Sequence, residues 1–177
     1  MARRDKLTGK EKFLLFWGHR VPADGSVGNW CLSQWAPRPF TVDGVRYPTA
    51  EHYMMVGKAR LFGDEARADQ ALAARSPAEA KRHGRAVTGF DERRWVAERE
   101  RIVFEANFAK FDQHDDLRAF LLGTRKKVLV EASPADRVWG IGLAADHQHA
   151  TVPSRWRGLN LLGFALVDVR AALAGKR

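Results

Sequence analysis

The sequence YPTAEHYMMVGKARLFGD, residues 47–64, constrains the fold more than any other stretch of the chain. Pro48 and Thr49 predict the start of a helix, because a threonine side chain can accept a hydrogen bond from the first helical turn. Ala50 would then be the first helical residue. The apolar residues that follow predict that most of this helix is buried.

Two charged side chains lie on one face of this predicted helix. Residues four and seven positions apart point in nearly the same direction, so Glu51, Met55 and Lys58 form one stripe about two turns long. Burial of a carboxylate and an amine removes their hydration, and partners must compensate for that loss. The pattern therefore indicates either a structural ion pair or the polar part of a functional site.

A β-hairpin is predicted directly before this helix, at residues 40–47. Asp43 and Gly44 favour a two-residue type I′ turn, because both central positions of that turn need a positive φ. Apolar and polar residues alternate on either side of the turn, as in strands with one buried face. The hairpin runs straight into Pro48, so it would fix where the helix begins.

The rest of the chain predicts further helices and two more strands. Asp64, Ser76 and Asp91 stand where N-cap residues are expected, and the sequence SPAE from Ser76 is a capping box with proline at the first helical position. A final helix is predicted after Asn160, which we expect to cap it, because the apolar residues that follow form one stripe. The stripe contains Leu162, Ala165, Leu166 and Val169. The other predicted helices cover residues 64–75, 77–84, 91–110 and 115–123, and the strands cover 13–17 and 127–132.

These elements predict an α+β fold, with one predominantly helical domain at residues 1–177 around a small β-sheet. The sheet would contain the two strands and the hairpin. No run of about 18 apolar residues is present, so we expect no membrane-spanning segment and no membrane partner. The single cysteine, Cys31, excludes an internal disulfide and fits the reducing cytoplasm, where we place the protein.

The composition favours an anionic partner. Lysine and arginine number 30 against 21 aspartate and glutamate residues, which gives a net charge of +9. Such a charge favours phosphorylated small molecules or nucleic acid, although a basic surface without a specific partner has the same composition. The six tryptophans could provide stacking surfaces for bases or could serve as core residues.

A second group of chemically useful residues follows the last predicted strand. Asp136, Arg137 and Trp139 place a carboxylate, a cation and an indole beside Gly140, where a ligand could approach the backbone closely. Trp156, between two arginines, is a further candidate wall of a pocket.

The segment at residues 143–153 lacks periodicity and is expected to form a loop or lid. His147 and His149 in this segment could suggest a metal site, but no third ligand stands at a recognisable spacing. We therefore expect no metal and no cofactor.

The acid–base candidates are Glu51 and Asp136, with Lys58 as a cation. Neither a G-x-S-x-G nucleophile motif nor a G-x-G-x-x-G motif after a strand is present. Hydrolysis of a glycosidic bond needs such a set, because a carboxylate must stabilise an oxocarbenium-like centre or activate water while a second group protonates the leaving group. The spacing alone leaves the proximity of Glu51 and Asp136 open.

Many separate blocks of the chain, from about Phe13 to Leu173, follow the order of one known family. The blocks are Phe16-Trp-Gly18, Leu32-Ser-Gln-Trp35, residues 39–55 (PFTVDGVRYPTAEHYMM), Lys58-Ala-Arg60, residues 80–85 (AKRHGR), Trp95, residues 107–111 (NFAKF), 129–136 (LVEASPAD), 137–140 (RVWG) and 160–163 (NLLG). Together they resemble the NADAR family, also called the YbiA-like family. The core of the domain would then be about residues 13–173.

The resemblance implies cleavage of an N-glycosidic bond to ribose. One substrate class of the family is the phosphoribosylamino-pyrimidine intermediates of riboflavin biosynthesis, which are cleaved to ribose 5-phosphate and a base. The other is ADP-ribose attached to guanine in DNA or RNA. Both carry phosphates and a planar base, which suits the basic charge and the indoles. A module that binds ADP-ribose or a nucleotide without turnover is the non-enzymatic alternative.

The resemblance also assigns roles to single residues. Glu51 would stabilise the cationic sugar or activate water, and Asp136 would position the ribose or act as a second acid–base group. Lys58 would polarise the leaving base or attack the opened sugar through a Schiff base. The residues expected to bind substrate are Gly18, Trp95, Arg137, Trp139, Gly140, Trp156 and Asn160.

Two positions depart from the family pattern. Many members have asparagine where this chain has Gln34, which puts a direct ligand role there in doubt. Many also carry an acidic residue where this chain reads IGL at residues 141–143, and Asp146 would have to supply that carboxylate. Neither departure affects Glu51, Lys58 or Asp136.

Overall fold

The computed structural model describes residues 3–176, which form two compact units. One unit is Gln34–Gln113, and the other contains the remaining described residues. The strands are β1 (Phe13–Phe16), β2 (Phe40–Val42), β3 (Val45–Tyr47) and β4 (Val128–Glu131). The helices are α1 (Ala50–Leu61), α2 (Glu65–Leu72), α3 (Pro77–Arg85), α4 (Glu92–Asp112), α5 (Asp115–Gly123) and α6 (Leu161–Gly175), and short 3₁₀ helices cover Arg3–Lys6, Asn29–Leu32 and Pro153–Arg155.

The unit of residues 34–113 is built on α1, which packs against α2, α3 and α4. Its buried residues include Ala50, Met54, Val56 and Ala59, which confirms that most of this helix is buried. Helix α3 approaches α1 closely at Gly84, because a Cβ at that position would collide with Met55 Sδ. A glycine there lets the two helices touch.

Four of the predicted N-caps are present as hydrogen bonds. In each, the side chain of the residue before the helix accepts from a backbone N–H of the first turn, which otherwise has no helical partner. These caps explain why α1 to α4 begin within about a residue of the predicted starts. The pairs are Thr49 with His52, Asp64 with Arg67, Ser76 with Glu79, and Asp91 with Arg94.

The hairpin has the predicted turn. Strands β2 and β3 pair antiparallel, with Phe40 opposite Tyr47. Asp43 and Gly44 have φ values of 49° and 77°. Both values are positive, as a type I′ turn requires, so the hairpin prediction is confirmed.

The expectation of a single small sheet is wrong. In the described part of the chain, β1 pairs with β4 in parallel, and β2 with β3 forms a separate two-stranded sheet. The side chain of Gln113 gives a physical reason. The N–H of Thr41 donates to Gln113 Oε1 at 2.9 Å, and Gln113 Nε2 donates to the carbonyl of Thr41 at 2.7 Å. The amide therefore occupies the edge of β2 that another strand would need.

The second unit is centred on β1, β4 and α6. Helix α6 packs against β4, and its predicted apolar stripe at residues 162–169 is buried. Partly buried apolar residues, including Leu7, Phe13 and Leu15, pack against the core cluster of this unit. The core cluster contains Val130, Ala132, Ile141, Leu143, Ala150, Trp156 and Phe164.

Asn160 occupies the N-cap position of α6, but its side chain does not cap the helix, contrary to expectation. Its left-handed backbone, with φ 56° and ψ 36°, instead directs the amide to β4. There the N–H of Glu131 donates to Asn160 Oδ1 at 3.0 Å, and Asn160 Nδ2 donates to the carbonyl of Leu129 at 2.9 Å. Asn160 thus forms hydrogen bonds with the backbone N–H and carbonyl groups at the edge of β4, as Gln113 does at the edge of β2.

The predicted fold class is confirmed. Residues 3–176 contain six α-helices and two two-stranded sheets, which is a predominantly helical α+β architecture. Residues 143–152 contain neither helix nor strand, as expected for a loop. The single-domain boundary at 1–177 stays a prediction, and its ends at residues 1–2 and 177 lie outside the described residues. In residues 3–176 no helix is both long enough and apolar enough to cross a bilayer.

Candidate active site

Helix α1 carries Glu51 and Lys58 on one face, as predicted. The helix is continuous over both residues, so a rise of about 1.5 Å per residue separates them by roughly 10 Å along the axis. Glu51 is 3% exposed, and its N–H donates to the carbonyl of Gln34 at 3.0 Å. It stands in the first helical turn, where the helix dipole favours a carboxylate.

Lys58 is half-buried against two aromatic rings. Its Nζ lies 4.3 Å from the ring centroid of Phe90 and 5.5 Å from that of Trp95. Trp95 is a predicted substrate-binding residue, so the structure brings two predicted site residues, Lys58 and Trp95, together. Phe90 did not stand out in the sequence. Phe90 directly precedes Asp91, the N-cap of α4. An apolar residue directly before an N-cap often packs onto the start of its helix, and this signal could have located Phe90.

The environment of Lys58 changes its acidity. Burial lowers the pKa of its ammonium group below the ordinary 10.5; Glu92 opposes this shift, and Arg85 adds to it. Among the described residues, Lys58 makes no ion pair with a carboxylate, so its visible partners are the two rings. A lysine with a lowered pKa is a better proton donor to a leaving group, and a larger fraction of it is neutral and nucleophilic.

His52, next to Glu51, is a structural residue. Its ring contacts Thr49 Oγ1 at 2.8 Å and the carbonyl of Ala74 at 3.1 Å. Because a carbonyl only accepts, Nε2 carries the proton and Nδ1 accepts from the hydroxyl of Thr49. Burial lowers the pKa of His52, so the ring is neutral at pH 7. Both nitrogens are engaged, and this residue fixes the start of α1.

In the other unit, Asp136 organises the loop that follows β4. Its Oδ1 accepts hydrogen bonds from the backbone N–H groups of Val138 at 2.8 Å and Trp139 at 2.7 Å. Its Oδ2 accepts no such bond within the described residues. Oδ1 of Asp136 therefore has a structural function in the loop. Oδ2 is the oxygen that would contact the ribose, and this contact stays a prediction.

The loop at residues 136–142 is hydrogen-bonded along its length to residues 157–162. The two segments touch at Gly158, because a Cβ there would collide with the carbonyl oxygen of Gly140. These bonds bring Asn160 into the same region of this unit as Arg137, Trp139 and Gly140, so four predicted substrate-binding residues lie together there. The bonds run from the N–H groups of Leu159, Asn160 and Leu162 to the carbonyls of Arg137, Gly140 and Trp139, at 3.0, 3.1 and 3.1 Å.

Two other predicted substrate-binding residues have surroundings that the sequence did not indicate. Trp156 is 5% exposed, its Nε1 donates to the carbonyl of Ala150 at 2.9 Å, and its ring meets Phe13 edge-on at 6.1 Å. It is a core residue of its unit. Gly18 is exposed with φ 85°, and nothing lies within 4 Å of the place of a Cβ. Substrate contact by either residue stays a prediction.

A pocket of about 330 Å³ lies on the opposite face of α1 from Glu51 and Lys58, between α1, α4 and the hairpin. Glu105 at this pocket is already engaged, since Tyr53 donates to it at 3.1 Å and Arg101 at 2.6 Å. Neither Glu51 nor Lys58 lines the pocket, so their predicted acid–base roles do not depend on it. In residues 3–176 no group of three or more His, Cys, Asp or Glu side chains is placed to hold a metal ion.

Known proteins match nearly the whole chain. The NADAR domain model matches residues 15–174. N-glycosidase R617 of Acanthamoeba polyphaga mimivirus is 37% identical over 165 residues, which cover 90% of this chain and 95% of that protein. N-glycosidase YbiA of Escherichia coli is 35% identical over 143 residues, or 81% of each chain. The NMR structure of E. coli YbiA aligns with a TM-score of 0.73 and 32% identity over 94% of this chain and 87% of that one.

These matches confirm two predictions. The enzyme class is N-glycosidase, because relatives of that name match most of the chain at 35% and 37% identity. The architecture is that of YbiA. Because the family model spans almost all of its residues, the chain belongs to the NADAR family.

Proposed function

We propose that the protein hydrolyses the N-ribosidic C–N bond of a phosphoribosylamino-pyrimidine of the riboflavin-biosynthesis type. The observation that carries this proposal is Lys58, half-buried against Phe90 and Trp95 on the same face of α1 as the buried Glu51. A carboxylate for the sugar and an acidic ammonium for the base are the two groups that such a hydrolysis needs. The net charge of +9 suits the phosphate of the substrate.

In the proposed reaction, water adds to C1′ of the ribose as the bond from C1′ to nitrogen breaks. The carboxylate of Glu51 stabilises the positive charge on the sugar and takes a proton from the attacking water. The ammonium of Lys58 gives a proton to the leaving nitrogen. The products are ribose 5-phosphate and the free amino-pyrimidine. Asp136 is assigned to hold the ribose or to act as a second acid–base group.

The lowered pKa of Lys58 supports a second use of the same amine. In the ring-opened substrate, C1′ is an imine carbon joined to the base nitrogen. The neutral amine of Lys58 can attack this carbon, so that the base leaves as its free amine and a lysine imine forms. Water then hydrolyses the lysine imine and releases ribose 5-phosphate. Borohydride would reduce that imine to a stable secondary amine. A mass increase of the protein that maps to Lys58 would identify this route, and an unchanged mass during turnover would favour proton donation.

The test is base release from a 5-amino-6-(phosphoribosylamino)uracil-type substrate. In Glu51→Gln, which keeps the shape of the side chain, we expect kcat to fall by about 10² to 10⁴, the usual loss when an acid–base group is removed. In Lys58→Met, which keeps much of the chain length, we expect a comparable loss. Asp136→Asn should raise KM or lower kcat, depending on which of its two assigned roles it has.

The matched controls are Glu65→Gln, an exposed carboxylate in the first turn of α2, and Lys81→Met on α3. Both should release base at the rate of the unmodified protein. Absence of release by the folded, unmodified protein would contradict the proposed substrate. Full activity in both Glu51→Gln and Lys58→Met would contradict the proposed site.

A second candidate function, removal of ADP-ribose from guanine in nucleic acid, is favoured by a surface beside Lys58. Phe90 is 42% exposed, and its ring centroid lies 5.3 Å from that of Phe62. The guanidinium of Arg94 lies 5.7 Å from the Phe62 ring. Aromatic rings with cations beside them bind the bases and phosphates of single strands. We name this surface the aromatic–arginine patch: Phe62, Phe90 and Arg94, together with Arg85, whose charge acts on Lys58.

The arginines of this patch differ from their neighbours in pairing. In the described part of the chain, neither Arg85 nor Arg94 forms an ion pair with a carboxylate, whereas Arg101 pairs with two glutamates. Unpaired guanidinium groups can bind phosphate without first losing a protein partner. Both guanidinium groups are therefore available to the phosphates of a nucleic acid.

A further inference from the structure

Two buried amides, Asn107 of α4 and Gln34, form a direct link in the unit of residues 34–113. Asn107 is 0% and Gln34 6% exposed. Asn107 Nδ2 donates to Gln34 Oε1 at 2.7 Å and also to the carbonyl of Val103 at 2.9 Å. Both bonds use N–H donors, so a flipped Asn107 would set its oxygen against two acceptors, and the orientation of the amide is fixed.

Gln34 passes this link on to α1. Its side-chain Nε2 lies 3.9 Å from Met54 Sδ as a donor, and its backbone carbonyl accepts the N–H of Glu51 at 3.0 Å. That N–H is in the first helical turn and has no acceptor within the helix. The backbone of Glu51 is therefore fixed from outside α1 by a residue that α4 holds in place.

Stability alone does not explain this pair. Asn107 Oδ1 is buried and accepts no hydrogen bond in residues 3–176, and such an orphan acceptor is costly. Apolar residues of similar shape in place of two buried hydrogen-bonded groups can be nearly neutral or stabilising. The polar pair therefore gives no clear gain in the free energy of unfolding over an apolar pair of similar shape.

We propose that Asn107 and Gln34 are positioning residues that hold the carboxylate of Glu51 in its reactive place. The proposal rests on the proposed function for its effect on turnover. Neither amide is assigned to touch the substrate. Their effect runs from α4 through Gln34 to the backbone of Glu51, and small displacements of a reacting group have large effects on rate.

The test uses Gln34→Met, which keeps the length of the side chain, Asn107→Ala, and the double variant. Amide hydrogen exchange measured by NMR reports the Glu51 N–H directly. We expect exchange at Glu51 to be about five to ten times faster in each single variant, the change for loss of one net hydrogen bond. We expect kcat to fall by about tenfold with KM nearly unchanged, because the substrate-binding groups remain. Because the amides act as one unit, kcat of the double variant should fall no further than kcat of either single variant.

The control is Ile102→Val, a buried position of α4 that lies against Gly57 in the middle of α1. It should lower the melting temperature slightly and leave Glu51 exchange and kcat unchanged. Unchanged exchange at Glu51 in both single variants would overturn the proposal, as would a loss of kcat that merely follows the unfolded fraction. If the unmodified protein does not release base, the proposed function fails, and the exchange measurement still decides whether the amides fix Glu51.

Discussion

His52 couples the fold to pH through one buried ring. Its native pKa is lowered below the ordinary 6.5, chiefly because burial disfavours the charged form, whereas the ring titrates normally in the unfolded chain. Between the lowered native pKa and about 6.5, the unfolded state binds more protons than the native state. The stability contributed by the neutral ring is therefore complete above about pH 6.5 and decreases as pH falls toward the native pKa.

Replacement of His52 by glutamine removes this titration and keeps one donor and one acceptor. We expect the free energy of unfolding to fall less between pH 7.5 and pH 5 in His52→Gln than in the unmodified protein, although the variant is less stable at pH 7.5. Urea denaturation at both pH values measures the two slopes. Gln148→Ala, at an exposed side chain that carries no titratable proton, should keep the original slope. Equal slopes for His52→Gln and the unmodified protein would contradict this origin of the pH dependence.

Periodicity predicted single residues where one helix decides their placement. It put Glu51 and Lys58 on the same face, because both belong to α1. It could not predict the contact of Lys58 with Phe90, since that contact depends on how the loop before α4 folds against α1. Asn160 shows the same limit: its position before α6 predicted a cap, but its left-handed backbone decides where the side chain points.

Helix ends were predictable because caps are local. Asp64 and Asp91 each satisfy an N–H three residues further along, so the chemistry of a short segment determines the boundary. The association of strands was not predictable in this way. The edge of β2 is occupied by Gln113, which is far from the hairpin in sequence, and no pattern near the hairpin indicates it.

The role of Gln113 can be tested by mutation. In Gln113→Ala we expect a loss of about 1 kcal/mol in the free energy of unfolding, because two exposed hydrogen bonds to Thr41 disappear. In Gln113→Glu one bond to the N–H of Thr41 can remain, but the second oxygen faces a carbonyl, so the loss should be at least as large. Urea denaturation and amide exchange at Thr41 measure both effects.

Gln148→Ala is the matched control, because this glutamine is exposed in a loop. It should leave the free energy of unfolding unchanged. A Gln113→Ala variant with unchanged stability and unchanged Thr41 exchange would show that the edge of β2 does not need the amide.

For the molecule as a whole, sequence blocks spread over the chain predicted the family and the class of reaction. The family match at residues 15–174 agrees with that extent. The substrate is harder to predict, because small and nucleic-acid substrates share a ribose, phosphate and base. What separates them is the surface outside the reacting centre, which depends on how the segments after α1 and before α4 bring Phe62, Phe90 and Arg94 together.

Salt dependence can separate the two substrate classes. Binding to single-stranded nucleic acid releases counterions, so the logarithm of the affinity falls with the logarithm of salt concentration, by about 0.7 for each phosphate neutralised. For an oligonucleotide ADP-ribosylated on guanine we expect a steep slope, and Arg85→Ala and Arg94→Ala should each reduce it by about 0.7. Arg46→Ala, at an exposed arginine of β3, removes the same charge elsewhere and should keep the full slope.

Fluorescence anisotropy at several salt concentrations measures these slopes. Identical slopes in all variants would contradict a role for the aromatic–arginine patch. A shallow slope in the unmodified protein would argue against the nucleic-acid substrate. If that protein also releases base efficiently from the phosphoribosylamino-pyrimidine, the small molecule is the substrate.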